Sequence, residues 1–390
     1  MGNNGRDATK SQKRAIRKVL DGTTTSTTPT TGNHPSGTTA PGLRLPPVPY
    51  GSKLDWDEVF PGSQEEDRDI WLELGFGRGE NLQALLESKL SEESTTVRGN
   101  HPTEGGNDGA AATADVWNAG RKKFYLVGAE VSGVGIGCLC KRIEQQQQQK
   151  QKLQRQHQET DDPGFVLYRP NMDPYSSQSG EQGHHDGEGA NGGSDNSNTR
   201  GDRGNDFGRN AAPAFDGSYY GDRLRIHAGD GYKLLPKLPD DSLSAILVTF
   251  PDPFPKDTDV NYRLIQHQTL IECHRILRKQ ICHTESSSSS SSSSSNNNNN
   301  NNNNKTRGGR LFLATDHDGY HEWCHRTMCE VNRTAARQHE EDPSSSAPML
   351  FEPEEPCPDR MEWLPAVSRY EQKGWDEGRS TKLSCWTAIE

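Results

Sequence analysis

Ile70-Trp71-Leu72-Glu73-Leu74-Gly75-Phe76-Gly77-Arg78-Gly79-Glu80 is an apolar run that ends in alternating glycines. Such a run reads as a buried strand feeding a sharp backbone turn. Asn81 to Leu90 then reads as a helix. The same alternation repeats outward. Phe124 to Val131 predicts a second strand and Val134 to Gln145 a helix. Leu224 to His227 and Ala245 to Phe250 predict a third and a fourth strand. Leu264 to Arg278 predicts a helix with Leu270, Ile271, His274 and Leu277 on one face. Leu311 to Thr315 predicts a fifth strand, and Tyr320, Trp323, Cys324, Thr327, Met328 and Val331 form a helical stripe. A last strand is expected near Leu383 to Ile389. Buried-type strands separated by helices predict an α/β fold: a Rossmann-like, doubly wound, mostly parallel sheet with its site at the carboxyl ends of the strands.

Between these pieces the 390-residue chain is polar. Hydrophobic residues make up 29% and glycine adds 39 residues, below the roughly 45–50% apolar share of an ordinary domain. Residues 1–53 are expected to be a disordered tail. Residues 54–390 are expected to be one domain interrupted by low-complexity inserts at about 91–119, 145–222, 284–306 and 338–367, where Gln, Ser, Asn, Gly and acids dominate. Such stretches bury too little apolar surface to offset their ordering entropy. No run approaches the roughly 20 apolar residues of a membrane span, and no secretory leader is expected. Eight cysteines without a regular framework point to a reducing compartment. Cytoplasm or nucleus is the expected location, with plastid or mitochondrion as the alternative.

The glycine turn is flanked by Glu73 and Glu80. A dinucleotide site places pyrophosphate on the helix start with the spacing G-x-G-x-x-G. Here Gly75, Gly77 and Gly79 follow G-x-G-x-G, and two carboxylates would repel a pyrophosphate. They suit a ligand with an ammonium and a sulfonium, which favours S-adenosyl-L-methionine. Glu130 closes the second strand, where an acid accepts bonds from ribose hydroxyls. Asp230 follows the third strand, placed to meet an adenine amino group. Each acid alone could be a loop cap; three at successive strand ends point to one ligand.

After the fourth strand comes Phe250-Pro-Asp252-Pro-Phe254-Pro-Lys256. Alternate prolines fix an extended backbone and hold Asp252 at the strand end. Phe254 offers a surface for stacking a base. Late in the chain, Ser368-Arg369-Tyr370-Glu371 opens a segment that mixes an aromatic, acids and guanidinium groups.

In order, the segments LELGFGRG, GAEVSGVG, AGDG, TFPDPFPK, ATD and RYEQKG resemble the tRNA (guanine(46)-N7)-methyltransferase family, nearer its bacterial single-subunit branch. The resemblance covers nearly all of the core and none of the inserts. It implies a class I methyltransferase fold and methyl transfer from S-adenosyl-L-methionine to N7 of a variable-loop guanosine in tRNA. It implies cofactor binding by Glu73, Glu130, Asp230 and Asp252, with Asp252 the catalytic residue. It implies substrate contacts by Lys256, Asp316, Ser368, Arg369, Tyr370 and Glu371. tRNA is the implied partner. No obligate protein partner is indicated, although the eukaryotic branch works with a WD-repeat subunit.

One departure stands out. Where the family has a dense basic cluster after the proline loop, this chain has Asp257-Thr-Asp259-Val-Asn-Tyr262, with only Lys256 and Arg263 keeping that character. Lost phosphate contacts weaken salt-dependent binding. A methyltransferase acting on another RNA or a small molecule, and a non-catalytic RNA-binding scaffold, are the alternatives. The net charge is −11, at first sight hostile to nucleic acid. Residues 91–119, 157–222 and 338–367 carry −4, −8 and −7, and residues 1–53 carry +6. The remaining core is +2, which permits tRNA. No metal site is expected, since the Cys-His pairs lack a clamping C-x-x-C. The basic Lys10, Lys13, Arg14, Arg17 and Lys18 read as a solvated tail.

Overall fold

The computed structural model describes residues 7–22, 42–98, 122–159, 219–279, 308–342 and 349–389. The expected insert at 284–306, and most of those at 91–119 and 145–222, lie outside the described residues. Met1–Lys150 with Gly217–Glu390 forms one compact unit, and Gln151–Asp216 forms a second.

The elements run α1 (Lys10–Ala15), α2 (Trp56–Val59), β1 (Arg68–Leu74), α3 (Glu80–Arg98), β2 (Lys123–Glu130) and α4 (Gly133–Glu159). They continue with α5 (Tyr219–Arg223), β3 (Leu224–Ala228), α6 (Gly231–Leu234), β4 (Ala245–Thr249) and α7 (His267–Ile276). The chain closes with β5 (Arg310–Thr315), α8 (Asp318–Glu341), β6 (Phe351–Pro353), α9 (Arg360–Trp363), α10 (Arg369–Asp376) and β7 (Lys382–Ala388). The sheet order is β3-β2-β1-β4-β5-β7-β6. The first five strands are parallel, and β7 is antiparallel to both β5 and β6. Strand order reverses between β1 and β4, so a crevice opens at their carboxyl ends. This is the Rossmann-like class I methyltransferase sheet that the sequence predicts.

Side chains alternate across the sheet. Leu72, Val127, Ile246 and Leu311 enter one apolar cluster, while Trp71, Leu126, Leu247 and Phe312 enter the other. Both faces are therefore covered, which is why the strands read as continuous apolar runs.

Several expectations are corrected. Residues 7–22 and 42–53 are not a free tail. Thr9 and Gln12 form a reciprocal capping box at α1, and Ala15 and Leu20 are fully buried. Leu43, Arg44 and Leu45 run along the β3 edge, where Leu45 N donates to Ile226 O at 2.9 Å and Ile226 N to Leu43 O at 2.7 Å. A few apolar residues among many Thr and Gly were enough to dock the segment.

The start of the 91–119 stretch continues α3. Glu93 there accepts from Phe124 N at 2.7 Å and from Arg223 at 3.2 Å. The glutamine run of 145–149 lies within α4, and Gln146 bonds Glu87 and Tyr220 at 3.1 and 2.6 Å. Glutamine is a good helix former, and the preceding helix supplies the nucleus.

Residues 349–367 contain β6 and α9. Trp363 is 0% exposed and stacks on Phe312 at 4.8 Å. On α7 the buried face is Leu270, Cys273 and Ile276 rather than Ile271 and His274. His274 instead sits half-buried, its Nε2 2.8 Å from the Ile389 carbonyl.

Among the described residues no helix is long and apolar enough to cross a membrane. If residues 349–367 belong to the core, Trp363→Ala should lower the unfolding free energy by roughly 3–5 kcal/mol. Denaturant unfolding measures it, and a loss below about 1 kcal/mol, the usual surface effect, would return the segment to the status of an insert.

Candidate active site

The site begins where β1 and β2 end. Gly75 N donates to Ala129 O at 2.8 Å, which keeps the two strands paired into the turn. Gly75, Gly77 and Gly79 all have positive φ, at 72°, 57° and 77°, a region only glycine enters without strain. Gly77 N donates to Glu130 Oε2 at 2.8 Å, and Ser132 N donates to Glu130 Oε1 at 2.7 Å. Burial raises the Glu130 pKa, and the Ser132 and Gly77 amides partly offset that. A Cβ on Gly135 would strike the Gly77 carbonyl, so the start of α4 presses directly on the turn.

Glu73 lies beneath, 0% exposed. Its Oε1 accepts from Thr249 Oγ1 at 2.8 Å and from Asn81 Nδ2 at 3.3 Å. Its Oε2 has no partner within the described chain. Burial pushes its pKa from 4.5 up to about 7, the Thr249 and Asn81 bonds oppose that, and the charges of Glu80 and Glu130 add to it. Three carboxylates that sense one another, one with an unpartnered oxygen, favour a cationic ligand. The donor set therefore fits the amino-acid end of S-adenosyl-L-methionine and disfavours a pyrophosphate.

Asp230 follows β3 and caps α6, accepting from Tyr232 N at 3.0 Å. Asp252 follows β4, exposed, and accepts from Phe254 N at 3.3 Å. Phe250 and Phe254 have positive φ, 49° and 41°, which costs energy for a bulky residue and marks a turn held by its surroundings. Arg263 does the holding: its Nε donates to Pro253 O at 2.9 Å and its Nη2 to Phe254 O at 3.0 Å. Lys256 is exposed and makes no ion pair among the described residues.

Asp316 immediately follows β5 and accepts from Arg379 Nε at 2.8 Å. Helix α10 is laid against it, since a Cβ on Gly374 would collide with the Asp316 carboxylate. Ser368 caps α10 by accepting from Glu371 N at 3.1 Å. Arg369 begins the helix and is exposed. Tyr370 is 58% exposed, and its ring edge would lie 3.2 Å from a Cβ on Gly77. The late segment thus meets the glycine turn.

Glu371 corrects the expectation of a base contact. It is 0% exposed, with Oε2 bonded to Arg360 at 2.7 Å and Oε1 to Thr381 at 2.8 Å. Its carboxylate ties α9, α10 and the approach to β7 together, and so sets where Tyr370 stands.

The structure adds groups that the sequence reading did not single out as site residues: Asn81, Thr249, Ser132, Arg360 and Thr381. A lone threonine ending an apolar strand was a signal for Thr249; the others had none. Among the described residues no group of three or more His, Cys, Asp or Glu is arranged to hold a metal.

Residues 219–285 match a family model described as "Putative methyltransferase". A 57-residue stretch, 15% of this chain, is 42% identical to the tRNA (guanine-N(7)-)-methyltransferase of Paramagnetospirillum magneticum. The chain spans 24% of the length of that relative. Among solved structures, it is similar to phosphoethanolamine N-methyltransferase 2 of Haemonchus contortus in complex with S-adenosyl-L-methionine, at 8% identity and TM-score 0.26 over 87% of this chain and 53% of that one. It is also similar to geranyl diphosphate C-methyltransferase of Streptomyces coelicolor A3(2), at 10% identity and TM-score 0.26 over 98% and 99%. The fold rests on the chain's own strand order rather than on those likenesses.

Sheet order and the acid-lined glycine turn are those of the class I methyltransferase fold, with S-adenosyl-L-methionine as the cofactor that the donor set fits. Within that class, the likeness to tRNA (guanine-N7)-methyltransferases is carried by residues 219–285 and by the 57-residue stretch.

Glu73 yields a prediction with a definite sign. Its folded pKa is raised, so its contribution to stability is full below pH 4.5 and is lost as pH rises through about 7. In cofactor-free protein, wild type should lose about 3 kcal/mol relative to Glu73→Gln across that window. Unfolding free energies from pH 5 to 8 read it, and parallel curves would refute it.

Proposed function

We propose that this chain methylates N7 of a guanosine in tRNA, at position 46 of the variable loop. One observation carries the reading most directly. The FPDPFPK turn presents an exposed carboxylate, Asp252, at the end of β4, on the carboxyl edge that also carries the acid-lined glycine turn. The partial match to a curated tRNA (guanine-N(7)-)-methyltransferase supports the same substrate.

Glu73, Glu130, Asp230 and the Gly75–Gly79 turn would hold S-adenosyl-L-methionine, which would supply an electrophilic methyl. Guanine N7 carries a lone pair in the ring plane, so no base has to remove a proton first. The protein's work is alignment and electrostatics. As N7 takes the methyl, positive charge spreads over the imidazole ring of the base. Asp252 stabilises that charge, and its bond from Phe254 N fixes the carboxylate in place. Tyr370 offers an aromatic face beside Gly77, where the base approaches the cofactor. Asp316, oriented by Arg379, lies below α10 and sets the position of that face. Lys256 meets a phosphate.

N7 lies on the major-groove edge of guanine. The base must therefore be unstacked, or held in an accessible tertiary contact, to reach Asp252.

A second reading has an observation of its own. Asp257, exposed, and Asp259, half-buried, lie on the 3₁₀ turn Asp257–Tyr262, where the family resemblance leads one to expect cations. They favour a substrate with less phosphate than tRNA. Labelled methyl transfer to unmodified tRNA, followed by cleavage at 7-methylguanosine, decides between the two. Cleavage in the variable loop supports the first reading, and its absence turns the assignment to the second.

Asp252→Ala should cut methyl transfer by at least on the order of 10²-fold while leaving the circular dichroism spectrum unchanged, because the side chain is exposed. Wild-type turnover would remove Asp252 from the chemistry. Lys256→Ala should raise the KM for tRNA more than it lowers kcat. It should also reduce the slope of log affinity against log salt by roughly 0.7–0.9; an unchanged slope would mean that Lys256 meets no phosphate.

A further inference from the structure

The turn that replaces the expected basic cluster has its own structure. It is the 3₁₀ helix Asp257–Tyr262, leading directly from the FPDPFPK loop. Its charges repel phosphate: Asp257 is exposed, Asp259 is half-buried, and Lys256 is the one cation between Asp252 and Tyr262. Its aromatic residue does something different. Tyr262 is 47% exposed, and its ring lies 5.8 Å from that of Phe254, tilted by 54°.

Both rings stand on braced backbone. Arg263, buried and lying over the Trp323 ring at 4.6 Å, donates to the carbonyls of Pro253 and Phe254. Gln266 Nε2 donates to Val260 O at 2.6 Å and to Arg263 O at 3.2 Å. The backbone amide of Phe254 is bonded in turn to Asp252. One rigid unit therefore carries the two rings and the Asp252 carboxylate together.

An exposed tyrosine held against a second aromatic, on a strained turn, is a poor solution for stability alone. It exposes apolar surface and occupies a left-handed backbone position at Phe254. The arrangement has the parts of a single-strand stacking platform: rigid aromatic faces, little need for charge, and tolerance of any base.

We propose that Phe254 and Tyr262 stack an unpaired base of the RNA substrate beside Asp252, taking over by stacking what the missing cations would have done through phosphates. The proposal rests on the reading of the chain as an RNA methyltransferase. It makes Tyr262 a specificity-determining residue. Substrates with an unpaired base next to the target are retained, and fully paired RNA is rejected because its bases offer no free face.

The test uses the full chain in two independent arms. In the first, the anisotropy of a labelled 12-nucleotide single-stranded RNA and of the same sequence as a blunt duplex is measured with wild type, Tyr262→Ala and Tyr262→Phe. Wild type should prefer the single strand. Tyr262→Ala should weaken single-strand binding on the order of tenfold, with the salt slope unchanged. Tyr262→Phe should bind like wild type, because stacking needs the ring and not the hydroxyl.

In the second arm, steady-state methyl transfer to unmodified tRNA should show a KM increase of similar size for Tyr262→Ala, with kcat far less affected and cofactor affinity unmoved. Wild type that methylates no tRNA but still shows the ring-dependent single-strand preference refutes the tRNA reading and supports the platform. Equal binding of single strand and duplex by wild type overturns the platform. So does Tyr262→Ala with wild-type affinity, or a variant whose loss appears as a reduced salt slope.

Discussion

The bonds from Gly77 N and Ser132 N to the Glu130 carboxylate hold the rest of the site in register. One side chain at the end of β2 closes the loop after β1 and the loop after its own strand. The glycine turn cannot splay while Gly135 presses on the Gly77 carbonyl, and Tyr370 can rest on Gly77 only because no side chain intervenes. A buried carboxylate with a raised pKa stands in this place although it costs stability. Backbone amides satisfy part of its demand, which makes the cost bearable. What the constraint achieves is a fixed geometry: the two loops that line the cofactor's cradle are tied to one carboxylate.

From that fixed point the site is assembled on the strand order. β1 and β4 are neighbours, so Glu73 and Thr249 bond across them. Asp252 then emerges one short turn beyond Thr249. β5 lies next, and Asp316 comes off its end to receive Arg379 and the close backbone of Gly374. The last layer is the linkage of Glu371 with Arg360 and Thr381, a buried carboxylate with both oxygens occupied. Breaking such a group's partners is expensive because it leaves a charge stranded in the interior. Glu371 is therefore understood as the anchor that sets Tyr370, although its sequence neighbourhood suggested direct contact with a base.

How much of this was legible depended on whether the signal was local. The parallel strands are buried on both faces and read as apolar runs, so their existence and order followed from residues 70–74, 224–227, 245–250 and 311–315. The glycines and the acids at strand ends declared themselves because their types are wrong for a core. The N-terminal segment and residues 349–367 did not. Each is polar in bulk and contributes only a few anchors, such as Leu20, Leu43, Phe351 and Trp363, to a core built mostly by other segments. Composition averages over a window, and a single tryptophan does not move the average. On α7 the periodicity was right and the phase was wrong. Cys273 and Ile276 turned inward, and the Ile389 carbonyl, more than a hundred residues away, claimed His274.

Charge makes the same point about locality. The net −11 counts segments that lie outside the described residues together with the core, so it says little about the crevice. Even the near-neutral core figure hides structured acids. Glu354, within a stretch first read as insert, is paired to Arg310 at 2.9 Å and carries no free charge toward a partner. The side chains around Asp252 are one lysine, two aspartates and two aromatic rings. Long-range steering by a basic face is weak in such a site, and short-range shape has to compensate. Counterion release depends on salt, whereas stacking hardly does. A methyltransferase that exchanged cations for rings at this turn would therefore bind more slowly at low salt and hold its substrate better at high salt. A rigid FPDPFPK frame suits such a site, because stacking depends on rings held in fixed positions.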